Sequence, residues 1–102
     1  MNPAPPKLYY VYLLKSSKKN WVYIGFTSDL SRRLQEHYTS EDFSTRRYLP
    51  VELVYYEAYR SITDAKNREK CLEQHGNALR FLKKRINCSL NIIHSQRTGG
   101  AG

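Results

Sequence analysis

The sequence has no long apolar run and only two cysteines, and these absences exclude several classes of protein. No segment approaches the roughly 20 consecutive apolar residues that cross a bilayer, so no membrane-spanning helix is predicted. Residues 1–6 lack the apolar stretch typical of a secretory signal peptide. Cys71 and Cys88 have no CxxC spacing, so we expect free thiols, no zinc site and a cytoplasmic protein.

Acidic residues are scarce relative to basic ones. The chain has 9 Asp and Glu against 17 Lys and Arg, a net charge of +8. A field of this sign attracts polyanions, and nucleic acid is the leading candidate because Lys and Arg release counterions from its phosphates. A merely solvated basic surface is the alternative explanation for the charge alone. The 102 residues are enough for one domain with one modest core.

The alternation of apolar and polar segments predicts a β-β-α-β-α-α order. Strand patterns lie at residues 8–14, 21–26 and 51–59, and helix patterns at about 29–38, 61–75 and 78–86. Ser28 or Asp29 can cap the first helix and Ser61 the second, while residues 39–50 are predicted to be a loop. We therefore predict an α+β fold with a small, three-stranded, mostly antiparallel sheet flanked by helices.

The predicted domain covers residues 8–88. The Pro-rich residues 1–7 are expected to be a flexible arm, and residues 89–102, which end in a Gly-rich stretch, a flexible tail.

Polar side chains occupy the face of the first helix that should be buried. At about 100° per residue, Arg33 and His37 fall on the same stripe as Leu30 and Leu34. A buried guanidinium and imidazole are costly unless they are paired or functional.

The second helix repeats this pattern with a carboxylate. Glu69 falls among Ile62, Ala65 and Leu72, the apolar stripe of that helix. A carboxylate there requires a cation, which either Arg33 or a bound metal could supply. A structural Arg33–Glu69 salt bridge without further function is the alternative.

The hairpin contributes two tyrosines. If Lys15 pairs with Asn20, Tyr12 lies opposite Tyr23, and the two phenols share a face of the sheet. An aromatic core pair is the alternative. Gly25 shares this face and indicates either a close backbone approach or a bulge.

Together, two phenols, an arginine, a histidine and a glutamate are predicted to point toward one side of a small sheet. On a basic protein this combination favours a phosphodiester site.

The spacing of these residues resembles the signature of the GIY-YIG nuclease family. Tyr10-Val11-Tyr12 and Tyr23-Ile24-Gly25 match the two tripeptides, with Tyr10 in place of a glycine, a change that would narrow the cleft. Arg33 follows Tyr23 by ten residues, and His37 follows Arg33 by four. Glu69 matches the glutamate of a later helix. Over residues 9–86 the chain is similar to small stand-alone members and to the nuclease domain of excision-repair nucleases.

The resemblance implies a metal-dependent DNA endonuclease that hydrolyses phosphodiester bonds with one Mg²⁺ or Mn²⁺ held by Glu69. It also implies that Arg33 binds phosphate and that Tyr12 is the general base. How Tyr12, Tyr23 and His37 divide the proton transfers stays open, as do single-stranded, branched and duplex DNA as substrates. We expect neither a small-molecule cofactor nor a membrane partner. The alternative is a catalytically inactive nucleic-acid-binding module that assists DNA repair or processing.

Residues outside this set are expected to hold the DNA. Thr27, at the start of the first helix, could bind a phosphate or cap the helix. The other predicted contacts lie in the long loop and on the last helix: Ser44, Thr45, Arg46, Arg47, Lys83 and Lys84. For the helix, a solvated basic end is the alternative.

Overall fold

The computed structural model describes residues 2–39, 41–74 and 76–92. Its one sheet is antiparallel with strand order β2-β1-β3. The strands are β1 (Tyr9–Ser16), β2 (Val22–Thr27) and β3 (Val51–Tyr59). Among the described residues the sheet is accompanied by α1 (Leu30–Tyr38), the 3₁₀ turn Arg46–Tyr48, α2 (Ile62–Glu73), α3 (Asn77–Arg85) and a further helical segment at 87–92. The predicted α+β class and element order are confirmed.

Local hydrogen bonds determine where the helices begin. The Arg32 backbone N–H donates to Asp29 Oδ1 at 3.2 Å, so Asp29 rather than Ser28 caps α1. The Asp64 backbone N–H donates to Ser61 Oγ at 3.3 Å, which makes Ser61 the cap of α2.

The sheet has an apolar core on each face. Val11 and Leu13 pack against α2 and α3, whereas Tyr12 and Leu14 belong to a second core with part of α1. Neighbours along β1 belong to different cores because side chains alternate along a strand. The continuous apolar run of β1 therefore reflects a central strand that is covered on both sides.

The register of the hairpin differs from the predicted one. Tyr12 lies opposite Gly25, and Tyr23 opposite Leu14, so the predicted Tyr12–Tyr23 pairing is wrong. Strand β1 extends to Ser16, whose Oγ accepts hydrogen bonds from the backbone N–H groups of Lys18 at 3.1 Å and Lys19 at 3.0 Å. The hairpin loop is therefore longer than predicted, and Lys15 pairs with Val22 rather than with Asn20. The shift is an even number of residues, so both tyrosines still share one face.

Three other regions differ in detail from the sequence-based expectations. Ile62, predicted to be part of a buried stripe, is 48% exposed, because α2 begins there and only Ala65 and Leu72 reach the core. The loop 39–50 contains the 3₁₀ turn and two buried residues, Asp42 and Thr45. The chain is helical from 87 to 92, which includes the first residues of the predicted tail. The rest of that tail, 93–102, lies outside the described residues.

Cys71 and Cys88 are both free, as predicted, and both are exposed. Within the described ranges, no helix is long and apolar enough to cross a membrane. Residues 2–7 are exposed and form neither helix nor strand.

Candidate active site

A buried chain of hydrogen bonds joins β1, α1 and the loop before β3. The Tyr12 hydroxyl lies 2.7 Å from His37 Nε2, and His37 Nδ1 lies 2.9 Å from Thr45 Oγ1. All three side chains are essentially inaccessible to solvent. These contacts explain why His37 can occupy the inward stripe of α1, because both of its ring nitrogens are hydrogen-bonded within the protein.

Burial keeps both ends of the Tyr12–His37 contact neutral. It raises the pKa of Tyr12 well above the usual value for a phenol, and the neighbouring Tyr23 raises it further. Burial and the Arg33 charge lower the pKa of His37. A neutral phenol donates to Nε2, so we assign the imidazole proton to Nδ1, from which it is donated to Thr45. The Asp42 carboxylate, 3.7 Å from Nδ1, favours the same tautomer.

Arg33 is held by two carboxylates. Its Nη1 donates to Glu36 Oε1 at 2.8 Å, and its Nη2 donates to Asp42. Burial acts against the guanidinium charge, yet these hydrogen bonds raise the pKa of Arg33, which stays cationic. Conversely, burial of Asp42 is outweighed by Arg33, which lowers the pKa of that carboxyl group. A structural Arg33–Glu69 salt bridge is thus wrong: within the described residues, the ion pairs of Arg33 are with Glu36 and Asp42.

Tyr23 completes the aromatic part of the site. Its ring centroid lies 5.1 Å from that of His37 and 6.2 Å from that of Tyr12. Burial raises the pKa of Tyr23, while the Arg33 guanidinium opposes the increase. The predicted juxtaposition of the two phenols with Arg33 and His37 is therefore present.

Gly25 is required by a close approach rather than by a bulge. A Cβ at this position would lie 2.8 Å from Tyr12 Cε1 and closer still to Cζ and the hydroxyl oxygen. The phenol of Tyr12 therefore crosses directly over the backbone of β2, in space that any side chain at position 25 would fill.

Glu69 reaches the site from the other side of the sheet. Helix α2 packs on the face that carries Val11 and Leu13, not on the face that carries Tyr12. Tyr23 lies on the edge strand β2, and the Glu69 carboxylate is near enough to raise the pKa of this phenol. The prediction that all five side chains point toward one side of the sheet is wrong, since the site spans the β2 edge.

The environment of Glu69 fits a divalent cation. Burial, followed by the neighbouring Glu73, raises the pKa of this half-buried carboxyl group. The nearby Lys66 charge opposes this increase, but no ion pair or hydrogen bond to the Glu69 carboxylate is present in the described part of the chain. The same residues contain no cluster of three or more His, Cys, Asp or Glu suited to a metal. A single carboxylate suits Mg²⁺ or Mn²⁺, which bind oxygen and keep several waters, rather than a metal that needs a full protein cage.

The predicted DNA contacts divide into buried and exposed residues. Thr45 is fully buried against His37, so its side chain cannot touch a DNA strand and that prediction is wrong. Thr27 is also buried, and its Oγ1 accepts from the Asp29 backbone N–H at 3.0 Å, so its hydroxyl stabilises the turn before α1, while Asp29 itself caps the helix. The remaining predicted contacts are exposed: Ser44, Arg46, Arg47, Lys83 and Lys84.

Asp42 is the main residue of the site that the sequence did not reveal. It follows Arg33 by nine residues in a polar loop with no periodicity, so no local pattern indicates that its side chain turns back to the helix. Glu36 has a clearer signal, since residues three apart on a helix are neighbours.

Comparisons with known proteins identify the family of the chain. The profile of the GIY-YIG catalytic domain matches residues 8–87. A UPF0213 protein of Streptococcus agalactiae serotype V is 39% identical over 66 residues, which cover 64% of this chain and 74% of that protein. A UPF0213 protein of Haloquadratum walsbyi is 37% identical over 62 residues, 60% of this chain and 68% of that protein. No solved structure matches the chain.

The fold and the family match together define a nuclease domain whose substrate is a nucleic acid. The chain belongs to the GIY-YIG family, in which catalysis is generally metal-dependent.

Proposed function

We propose that the protein is a DNA endonuclease that hydrolyses phosphodiester bonds at a site formed by Tyr12, Tyr23, Arg33, His37 and Glu69, with one Mg²⁺ or Mn²⁺ ion. The buried Tyr12–His37 hydrogen bond beside the charged Arg33 is the main support for this proposal. It places a proton donor and acceptor next to a fixed cation, and phosphodiester hydrolysis requires both a proton acceptor and stabilisation of negative charge.

Tyr12 is the proposed general base, and His37 is the group that makes the phenol basic. In this proposal Tyr12 passes its proton to His37 Nε2, 2.7 Å away, at the same time as it accepts a proton from the attacking water, so no free phenolate forms beforehand. Because Tyr12 is 1% exposed, DNA binding must first admit that water to the hydroxyl group. The Arg33 charge favours the phenolate, since it lowers the pKa of Tyr12 against the effect of burial. The imidazolium formed on His37 keeps its Nδ1 proton toward Thr45 and is stabilised by Asp42, which raises the pKa of His37.

Arg33 is proposed to bind the scissile phosphate. The guanidinium has five N–H donors, and its side chain is 28% exposed while Glu36 and Asp42 hold it in place. Donors that are fixed before the substrate arrives stabilise the developing charge without having to reorganise. In this proposal Asp42 and Glu36 position Arg33, and Tyr23 packs against His37 at the border of the site.

Glu69 is the proposed ligand of the divalent cation. When bound, the cation would offset negative charge on the scissile phosphate and on the leaving oxygen. Since one carboxylate is a small ligand set, we expect weak metal affinity in the absence of DNA. The exposed basic residues of the loop and of α3 would hold the DNA backbone on either side: Arg46, Arg47, Lys83 and Lys84.

The proposal is tested by cleavage of labelled single-stranded, duplex and flap DNA with Mg²⁺, Mn²⁺ or EDTA. Arg33→Ala should lower the cleavage rate by at least about 100-fold, the usual cost of removing a fixed donor to the reacting charge. Arg32→Ala is the matched control, because this neighbouring arginine of α1 has a side chain that is 73% exposed. Wild-type cleavage by Arg33→Ala protein would refute the role of Arg33. DNA binding without cleavage in either metal would favour the inactive binding module instead.

A further inference from the structure

We propose that Phe43 stacks on an unpaired nucleobase next to the scissile phosphate, so that the preferred substrate is single-stranded DNA or DNA with an unpaired segment. This inference rests on the proposed nuclease function and specifies its substrate class.

Phe43 is a large apolar side chain in open solvent. It is 83% exposed, whereas the next most exposed large hydrophobic side chain in the described part of the chain, Phe81, is 56% exposed. An aromatic ring in this position loses the stabilisation that burial would provide, which favours a role in binding.

The backbone around Phe43 is fixed on both sides. Asp42 precedes it, and the Asp42 Oδ1 atom accepts hydrogen bonds from the backbone N–H groups of Ser44 at 2.9 Å and Thr45 at 3.2 Å. Thr45 is in turn hydrogen-bonded to His37. The ring therefore projects from a turn whose backbone is hydrogen-bonded, so the backbone loses little conformational entropy when the ring binds a ligand.

Phe43 is one residue away from a direct contact of Arg33. Asp42, the immediate neighbour of Phe43, contacts Arg33, and consecutive Cα atoms are about 3.8 Å apart. If Arg33 binds the scissile phosphate, the Phe43 ring lies within reach of a base attached to it. A mutation at Phe43 should therefore affect the nucleotide at the cleavage position rather than a distant part of the strand.

The charges around Phe43 match a nucleic acid strand. The Arg46 guanidinium lies 5.0 Å from the centroid of the Phe43 ring, and Arg47 follows it in the 3₁₀ turn. Aromatic rings combined with basic side chains are typical of surfaces that bind single strands, where bases stack and phosphates are neutralised. In a duplex both faces of each base are already stacked, so the outward-facing ring gains a partner only from an unpaired base. The net charge of +8 also disfavours a second copy of the chain as the occupant.

The test measures binding rather than cleavage, with EDTA present. A single-stranded oligonucleotide that contains 2-aminopurine reports stacking by fluorescence quenching, and a duplex of the same sequence serves as the comparison. Phe43→Ala should weaken single-strand binding by about 5- to 100-fold and remove the quenching, while duplex binding stays unchanged. Phe43→Trp should retain both. The matched control is Phe81→Ala, since Phe81 is also exposed and also has an arginine, Arg80, 4.9 Å from its ring.

Equal single-strand affinity of wild-type and Phe43→Ala protein would overturn the inference, as would equal effects of Phe43→Ala and Phe81→Ala. A dimer in analytical ultracentrifugation that Phe43→Ala dissociates, without a change in quenching, would show that a second copy covers the ring. The two proposals fail separately. Quenching that depends on Phe43 without any cleavage would refute only the nuclease function, and cleavage with no effect of Phe43 would refute only the stacking role.

Discussion

Substitution of Gly25 by alanine should damage the candidate site through a single methyl group. The new Cβ would lie 2.8 Å from Tyr12 Cε1 and closer still to Cζ and the hydroxyl oxygen, whereas ordinary contact begins near 3.4 Å, so the ring must retreat by roughly 1 Å. The Tyr12 side chain has little room to do so, because it is 1% exposed and its ring lies 5.6 Å from the His37 ring. The hydrogen bond between Tyr12 and His37 is the contact most directly at risk.

The expected loss of stability follows from these contacts. Overpacking a well-filled core costs about 1–3 kcal/mol, and loss of a neutral hydrogen bond costs about 1 kcal/mol. The sum of about 2–4 kcal/mol is a large part of the roughly 5–15 kcal/mol that stabilises a domain. For a domain of this size, each kcal/mol lowers Tm by about 4–8 °C, so Tm should fall by about 8–30 °C. Cleavage should fall as well, since Tyr12 is displaced from His37.

The assay is thermal unfolding by circular dichroism, with cleavage measured well below the Tm of the variant. Gly76→Ala is the matched control, because a Cβ at this position meets nothing within 4 Å. Gly76 is the N-cap of α3, where alanine is less favourable than glycine, so a loss of about 0.5–1 kcal/mol with normal cleavage is expected. If Gly25→Ala protein had the Tm and the cleavage rate of the wild type, the close approach of Tyr12 would not be the reason for glycine at this position.

Two further predictions concern the cluster that joins β3 to α2. The Arg68 guanidinium donates to both oxygens of Glu57, with Nε and Nη2 each 2.9 Å from their nearest oxygens, so Arg68→Ala leaves a carboxylate whose side chain is 14% exposed without its cation. Urea unfolding should show that Arg68→Ala lowers the free energy of unfolding by about 1–3 kcal/mol, allowing for the partial exposure of Arg68. The exposed Arg60→Ala is the control and should cause no comparable loss. Equal urea midpoints for the wild type and Arg68→Ala would refute the pairing. Burial and the hydrogen bonds to Glu57 also raise the pKa of Tyr55 and Tyr59 from 10.0 to about 12. Because the folded state favours the neutral phenols, their contribution to stability is complete below pH 10 and is lost as pH rises toward 12. An absorbance titration at alkaline pH should find that these two phenols ionise at higher pH than an ordinary tyrosine. Ionisation of every tyrosine near pH 10 would contradict this prediction.

The parts of the site that the sequence predicts correctly are those governed by short-range regularity. Helical phase predicts that Arg33 and His37 face inward, because side chains three and four apart on a helix share a face. Alternation along strands predicts that Tyr12 and Tyr23 share a face, and it does so despite the wrong register, because an even shift preserves the face.

The parts that the sequence does not predict depend on contacts distant in the chain. The approach of Glu69 across the β2 edge depends on which face of the sheet α2 covers, and strand alternation contains no information on this. Asp42 turns back to Arg33 from an irregular loop, and Glu57 pairs with Arg68 eleven residues later in a different element. The position of Thr45 in a polar loop predicts a DNA contact, although its hydroxyl is hydrogen-bonded to His37 inside the protein.

The most direct test of the proposed site is the single-turnover cleavage rate of Glu69→Ala protein across a range of Mg²⁺ and Mn²⁺ concentrations. Glu73→Ala, which changes an exposed carboxylate one turn further along α2, is the control, and circular dichroism verifies that each variant is folded. We predict that Glu69→Ala protein binds DNA but does not cleave it at any metal concentration, while Glu73→Ala protein still cleaves. Cleavage by Glu69→Ala protein at the wild-type rate would contradict the proposed role of Glu69 as the ligand of the catalytic metal ion.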